Sequence, residues 1–213
     1  MPMFSDIVKK AGSGLAQAIK SGQQAARDWY RNTAQKVTGI NVNDILRSNP
    51  DRFLKTTVIG INSIGKMILF FYDPKTKKEL PYYDRFPLIF PIESYKDGFL
   101  GINMHYLPYY ARARLMDALY SLINSPKTQE QKLKISYSIL KGASKYKLFK
   151  PCIKKYLYSH VRSRFFIVKP EEWDMVLCLP IERFEQGGAR GGNIGASISK
   201  SIVFNESMRK ARR

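Results

Sequence analysis

The residues with the clearest chemistry in this 213-residue sequence are lysines and arginines that recur between positions 141 and 164. Ammonium and guanidinium groups bind phosphate oxygens, and this binding is independent of base sequence and weakens as salt concentration rises. We therefore predict a nucleic-acid-binding series of eight cations, which consists of Lys141, Lys145, Lys147, Lys150, Lys154, Lys155, Arg162 and Arg164.

Aromatic residues alternate with these cations and allow two interpretations. Exposed rings would stack on unpaired bases. The simpler interpretation, which we favour, is that Phe149, Tyr156 and Phe165 belong to the core and that only the cations face solvent. The series then predicts a surface that binds the nucleic-acid backbone without reading its sequence.

The charge of the whole chain supports a polyanionic partner. Lys and Arg number 36 against 17 Asp and Glu, and residues 111–170 carry 14 basic and 2 acidic residues, which is +12 of the total +19. An excess of this size, clustered in one part of the chain, is typical of proteins that lie against a polyanion. Nucleic acid is the favoured partner, and an acidic protein surface stays open as the alternative.

Residues that could do catalysis are sparse. The two histidines, His105 and His160, have no metal-binding spacing, and Cys152 and Cys178 form no CxxC pair, so we expect no cofactor and no metal ion. The lysines after Cys152 predict a somewhat lowered thiol pKa. Because no base is positioned beside it, we expect Cys152 only to pack, and His105 to lie in a packed or edge position.

A metal-dependent nuclease would need acids that converge on one ion. Asp84, Glu93 and Lys96 lie on or beside one predicted strand. The spacing of Glu93 and Lys96 places them on opposite faces, because only alternate residues share a face. We therefore predict that the protein is not an enzyme and keep the nuclease as the least favoured alternative.

The elements that position these residues follow from hydrophobic spacing and turn residues. A helix is predicted over 4–37, three strands over 66–72, 86–92 and 99–107, and a last strand over 164–168. Between the third and last strands we predict helices that begin at Pro108, at Thr128 (ending at Gly142) and at Pro151. The predicted fold is α+β, a small antiparallel SH3-like curled barrel with a helical insertion and an N-terminal helix.

Three segments follow from this pattern. They are an N-terminal helical extension (1–50), the barrel with its inserted helices (51–184) and a flexible, Gly-rich, basic tail (185–213). The tail is either disordered or an arm that docks on a neighbour. No run of about 18 apolar residues occurs, so no membrane partner is expected.

Several long motifs carry a family resemblance. The stretch at Gly65–Pro108 reads GKMILFFYDPKTKKELPYYDRFPLIFPIESYKDGFLGINMHYLP, and it resembles a virion protein of T-even-like contractile-tailed bacteriophages, especially marine ones. The resemblance continues through ARARLMDALY, LKISY, YKLFKPCIKKYL, SHVRSRFF and PEEWD and covers roughly residues 65–184. Members of this family are identified as DNA end protector proteins.

The resemblance implies a structural component of the phage particle and not an enzyme. Together with the charge, it favours the hypothesis of a place at the neck or tail core, contact with packaged double-stranded DNA, and multiple copies in a symmetric assembly with other virion proteins. The particle is assembled in the host cytoplasm, and the protein is expected to reside in the virion. The alternative is a tail or baseplate assembly protein that binds acidic protein neighbours.

Overall fold

The computed structural model describes residues 50–108 and 128–212, apart from 57, 61–62, 171–172 and 179–180, together with positions 46–47, 111–112, 115, 119 and 126. The predicted N-terminal helix lies outside the described residues. Within them, no helix combines the length and apolar character needed to cross a bilayer. The strands are β1 (Met67–Leu69), β2 (Tyr82–Asp84), β3 (Leu88–Ser94), β4 (Gly98–Asn103), β5 (Ile153–Leu157), β6 (Phe166–Val168) and β7 (Phe184–Gln186), and the helices are α1 (Gln129–Ser144), α2 (Trp173–Cys178) and α3 (Lys200–Arg212).

Five strands form one antiparallel sheet in the order β5-β4-β3-β1-β6, and β2 pairs with β7 in a second, two-stranded sheet. The sequence Lys96-Asp97-Gly98 predicts a tight turn of the Asp-Gly kind, and it forms the turn between β3 and β4. Here the amide N–H of Tyr95 donates to the carbonyl of Gly98 at 2.7 Å. Helix α1 lies in the chain between β4 and the last strand of the sheet, β6. The predicted α+β class is therefore confirmed, and α1 is present in the region of the predicted helical insertion.

The predicted barrel is not closed. Among the described strands, β5 and β6 remain the two edges of the five-stranded sheet. The chain beyond β1 meets the chain beyond β5 in one isolated bridge between Tyr72 and Val161, next to a hydrogen bond of 2.8 Å from the amide of Arg162 to the carbonyl of Phe71. The ladder does not continue past this bridge, so the sheet is open.

The first strand is buried on both faces, as its unbroken apolar run predicts. Successive side chains point to opposite faces of a strand. Met67 and Leu69 accordingly join one apolar cluster, and Ile68 and Phe70 join another. The second cluster is rich in aromatic rings, with the Phe70 centroid 5.0 Å from that of Phe165.

Pro91 occupies an internal strand, because β3 lies between β1 and β4. The sequence predicts an edge or a bulge here, since proline has no N–H for the ladder. The structure has the bulge: the register of β3 against β4 shifts between Pro91 and Glu93. The carbonyl of Pro91 still accepts a hydrogen bond, at 2.9 Å from the amide of Gly65.

The inserted helices differ in part from the prediction. Thr128 caps α1 as predicted, in a reciprocal capping box with Gln131. The helix runs past Gly142, which has no positive φ and so does not end it. The third predicted helix is wrong, because Ile153–Leu157 forms β5, flanked by 3-10 turns at Lys150–Cys152 and Tyr158–His160.

The chain after Arg183, for which the sequence predicts a flexible tail, forms β7, a 3-10 turn and α3. Gly191, Gly192 and Gly195 have φ values of +71°, +82° and +91°, which glycine adopts readily. They make the turns that lead from β7 towards α3. Helix α3 packs on the apolar core through Val203, which is fully buried.

Candidate nucleic-acid interface

The structure places the predicted cations on three consecutive parts of the chain. Lys141 lies in the last turn of α1, Lys154 and Lys155 lie on β5, and the two arginines follow the 3-10 turn after β5. Three lysines in the turns between α1 and β5 are exposed, namely Lys145, Lys147 and Lys150. These turns, which include the 3-10 turn at Lys150–Cys152, connect α1 to β5, an edge strand of the sheet.

Two of the lysines already pair with surface carboxylates. The ammonium nitrogen of Lys141 lies 2.6 Å from Oε2 of Glu93, and that of Lys155 lies 2.8 Å from Oδ2 of Asp97. The hydrogen bonds from these lysines lower the pKa of both carboxyls. Exposed pairs of this kind contribute little to stability, so an incoming phosphate can replace them at small cost.

The two arginines have weaker contacts. Nη2 of Arg162 lies 3.8 Å from Oδ2 of Asp73, and the guanidinium carbon of Arg164 lies 4.7 Å from the centroid of the Phe53 ring. Both arginines are exposed. They follow β5 in the chain.

The interpretation of the interleaved aromatic residues as core is confirmed. Phe149, Tyr156 and Phe165 are exposed by only 4%, 3% and 0%. Rings buried this deeply are not available for stacking on bases, so the chemistry that this part of the surface offers is that of its cations.

Lys154 differs from its neighbour Lys155, because the two side chains point to opposite faces of β5. Lys154 is partly buried, and its ammonium nitrogen lies 4.4 Å from the centroid of the Tyr106 ring. Burial lowers the pKa of Lys154, and the nearby charge of Lys210 lowers it further. Removal from water leaves this cation with an unusually strong attraction for an anion.

Helix α3 adds cations that the predicted series did not include. Its last turn carries Arg209, Lys210 and Arg212. The helix packs against the 3-10 turn at Lys150–Cys152, which leads into β5. The basic end of the chain therefore joins the predicted series in space. The sequence signal was the run MRKARR, but its position depends on tertiary packing.

A buried arginine ties α3 to the rest of the fold. Arg112 is fully buried and donates to the carbonyls of Leu107 and His105 at 2.8 and 3.0 Å, and to Oε1 of Glu182 at 2.9 Å. Its guanidinium carbon also lies 5.4 Å from the ring centroid of Phe204 on α3. This one side chain thus joins the start of the insertion, the segment before β7 and the C-terminal helix.

Comparison with protein families matches residues 13–197 to the family model described as Phage T4 terminal DNA protecting protein. The chain belongs to this family. The resemblance to DNA end protector proteins is therefore confirmed, and the match extends beyond residues 65–184 on both sides. Neither the curated proteins nor the solved structures contain a match to the chain.

The family description refers to DNA protection and to no reaction. The acids of the nuclease alternative agree with this, because Asp84 and Glu93 are engaged separately. Asp84 is 4% exposed, with Oδ2 at 2.8 Å from Nδ1 of His105 and 2.9 Å from Nδ2 of Asn103, whereas Glu93 pairs with Lys141. In the described part of the chain, no group of three or more His, Cys, Asp or Glu side chains is placed to hold a metal ion.

The expected lowering of the Cys152 pKa is wrong. The thiol is fully buried, and burial raises its pKa to about 12 although the charges of Lys154 and Arg112 act in the opposite direction. Desolvation of the thiolate outweighs the neighbouring cations. Cys152 therefore packs in the core, as expected from the absence of a base.

The buried ion pair predicts a loss of stability in acid. Burial alone raises the pKa of Glu182, but the charges of Arg112, His105 and Lys200 outweigh it and lower the pKa from 4.5 to about 2. A carboxyl with a depressed pKa stabilises the fold above its unfolded pKa, and this contribution disappears as the pH falls through the folded value. We expect it to supply about 3 kcal/mol that is lost between pH 5 and pH 2.

Urea unfolding at several pH values tests this expectation, with Glu182→Gln beside Glu79→Gln, which removes an exposed carboxyl. The Glu182→Gln variant should be less stable at neutral pH and should lose less stability in acid. The Glu79→Gln variant should follow the wild-type curve. A Glu182→Gln curve parallel to that of the wild type would contradict the assignment.

Proposed function

We propose that the protein is a structural component of the phage particle that binds the ends of the phage DNA through a basic surface. This surface, here called the basic path, consists of residues 141–164 and the last turn of α3. The observation that carries it is the packing of α3 against Lys150–Cys152, which adds the cations of the chain's end to those of the predicted series. The family description supports the DNA end as the partner.

The chemistry of the basic path suits the phosphate backbone. Lys145 and Lys150 are exposed, and the surface pairs of Lys141 and Lys155 exchange readily with phosphate. Phe149, Tyr156 and Phe165 are buried, so stacking of bases on these rings does not supply affinity. Binding of this kind is independent of sequence, which suits a protein that meets whatever sequence lies at the end of a genome.

We infer a position at the neck or tail core, in multiple symmetric copies beside other virion proteins, after assembly in the host cytoplasm. This inference is supported by the resemblance to virion proteins and by the need to hold a packaged DNA end close to where it enters the particle. A density map of the intact particle that locates the chain in the baseplate would contradict it and favour the tail-assembly alternative.

Binding of linear duplex DNA, followed by fluorescence anisotropy over a range of salt concentrations, tests the basic path. The variant Lys145→Gln/Lys150→Gln should bind more weakly, and the slope of log K against log salt should become shallower by about 2 if both lysines contact phosphate. The matched control is Lys55→Gln/Lys66→Gln, which removes the same charge outside the basic path and should keep the wild-type slope.

The outcomes separate the candidate functions. Absence of duplex binding at low salt would overturn the DNA contact and favour acidic protein neighbours as partners. Equal slopes for the two double variants would overturn the basic path while leaving DNA binding. Magnesium-dependent cleavage of the duplex would overturn the non-catalytic assignment.

A further inference from the structure

An open pocket of about 270 Å³ is lined by Lys154 and Lys155 of the basic path. The turn between β1 and β2, the strand β2, the 3-10 turn after β4 and the edge strand β5 all contribute side chains to it. The lining residues are Tyr72, Pro74, Lys75, Thr76, Leu80, Tyr83, Asp84, Tyr106, Lys154, Lys155, Tyr156 and Leu157. Part of the basic path therefore lines a concave site.

The lining combines cations with tyrosine rings. Lys75, Lys154 and Lys155 line the pocket together with four tyrosines. Asp84 also lines it, but it is 4% exposed, and its carboxylate accepts hydrogen bonds from the Asn103 amide and from the backbone N–H of Phe86. Because this carboxylate is held by internal partners, the accessible charge of the pocket is positive.

The surroundings of Lys154 indicate that the ligand of the pocket is an anion. Each of the lysines at positions 141 and 155 has a carboxylate oxygen within 2.8 Å. Lys154 has no carboxylate at ion-pair distance among the described residues, and the contact it makes is with the face of the Tyr106 ring. The charge of Glu206 raises the pKa of Lys154 but does not outweigh burial. An anion bound in the pocket would therefore offset part of the remaining desolvation cost.

We propose that this pocket receives the phosphorylated end of a DNA strand, with the terminal phosphate against Lys154 and Lys75. The proposal rests on the proposed function and names the part of the DNA that the pocket recognises. The pocket suits one nucleotide and is too small for a stacked base pair.

The test compares three DNA molecules of the same sequence: a linear duplex with 5′-phosphates, the same duplex with 5′-hydroxyls, and a covalently closed circle. We expect the wild type to bind the phosphorylated duplex about tenfold more tightly than the hydroxyl form, as one charge-assisted contact provides. A free nucleoside 5′-monophosphate should compete for the pocket and remove this preference.

Three single variants locate the effect. Lys154→Gln should abolish the preference for phosphorylated ends, and Lys75→Gln should reduce it without affecting the fold, because Lys75 is exposed. The matched control is Lys145→Gln, which removes the same charge from the basic path outside the pocket. It should weaken binding to all three DNA molecules and keep the preference.

Two results would overturn the pocket and leave the proposed function intact. The first is that the wild type binds linear duplexes without regard to the terminal phosphate. The second is that the preference survives in Lys154→Gln and Lys75→Gln, or is lost equally in Lys145→Gln. Competition by the free monophosphate without any effect of the strand end would assign the pocket to a soluble nucleotide and overturn the proposal. Absence of binding to all three DNA molecules would instead overturn the proposed function.

Discussion

Replacement of Arg112 by methionine is expected to lower the free energy of unfolding by about 3–5 kcal/mol. The substitution leaves the buried carboxylate of Glu182 without its main counter-charge and removes the donor to the carbonyls of Leu107 and His105. Desolvated groups that lose their partners cost more than the pair itself contributes. Urea unfolding followed by circular dichroism measures the change.

The matched control is Arg85→Met, because Arg85 also pairs with a glutamate but its side chain is 56% exposed. We expect that variant to change stability by about 0.5 kcal/mol or less. The double variant Arg112→Met/Glu182→Leu should recover part of the loss, since it removes the unpaired charge but not the unpaired carbonyls. An Arg112→Met variant as stable as Arg85→Met would show that the buried pair does not hold the fold.

Replacement of Asp84 by alanine should lower the free energy of unfolding by about 3 kcal/mol. The Asp84 carboxylate accepts from the side chain of Asn103 and from the backbone N–H of Phe86, and it lies against the ring of His105. Removing it leaves buried polar groups without partners. Thermal and urea unfolding measure the loss, with Asp97→Ala as the control, whose exposed side chain should leave the unfolding midpoint nearly unchanged.

This substitution also separates a structural from a catalytic role of Asp84. At a temperature where the variant is folded, we expect its DNA binding to keep the salt dependence of the wild type, because Asp84 contributes hydrogen bonds inside the protein and not to phosphate. A magnesium-dependent cleavage activity that is present in the wild type and absent from Asp84→Ala would contradict the structural role.

Two features of the structure affect how much of the net positive charge is available to a partner. Not all of the positive charge in residues 141–164 is available, because Lys141 and Lys155 are paired with Glu93 and Asp97. The basic path is nevertheless larger than the series, because α3 adds the cations of its last turn. Charge counted along the chain therefore does not show which cations are available to a partner, because that depends on their contacts in the folded protein.

The sequence by itself determined the features that depend on local chemistry. The apolar run of β1, the turn at Lys96–Gly98 and the Thr128 cap were all predictable, because each depends on residues within a few positions of one another. The bulge at Pro91 was predictable for the same reason, since a missing N–H disturbs any internal strand. The family likeness was also visible in the chain, because its motifs are continuous in sequence.

Only the tertiary structure decided what depends on distant partners. The segment at Ile153–Leu157 becomes a strand because β4 offers an edge to which it hydrogen-bonds, and this pairing overrides its helical pattern. Helix α3 forms because Val203 is buried against the core and Phe204 lies against the guanidinium of Arg112. The pocket at Lys154 exists only where β2, β5 and two turns meet. Such contacts join residues far apart in the chain, and periodicity within a short window contains no information about them.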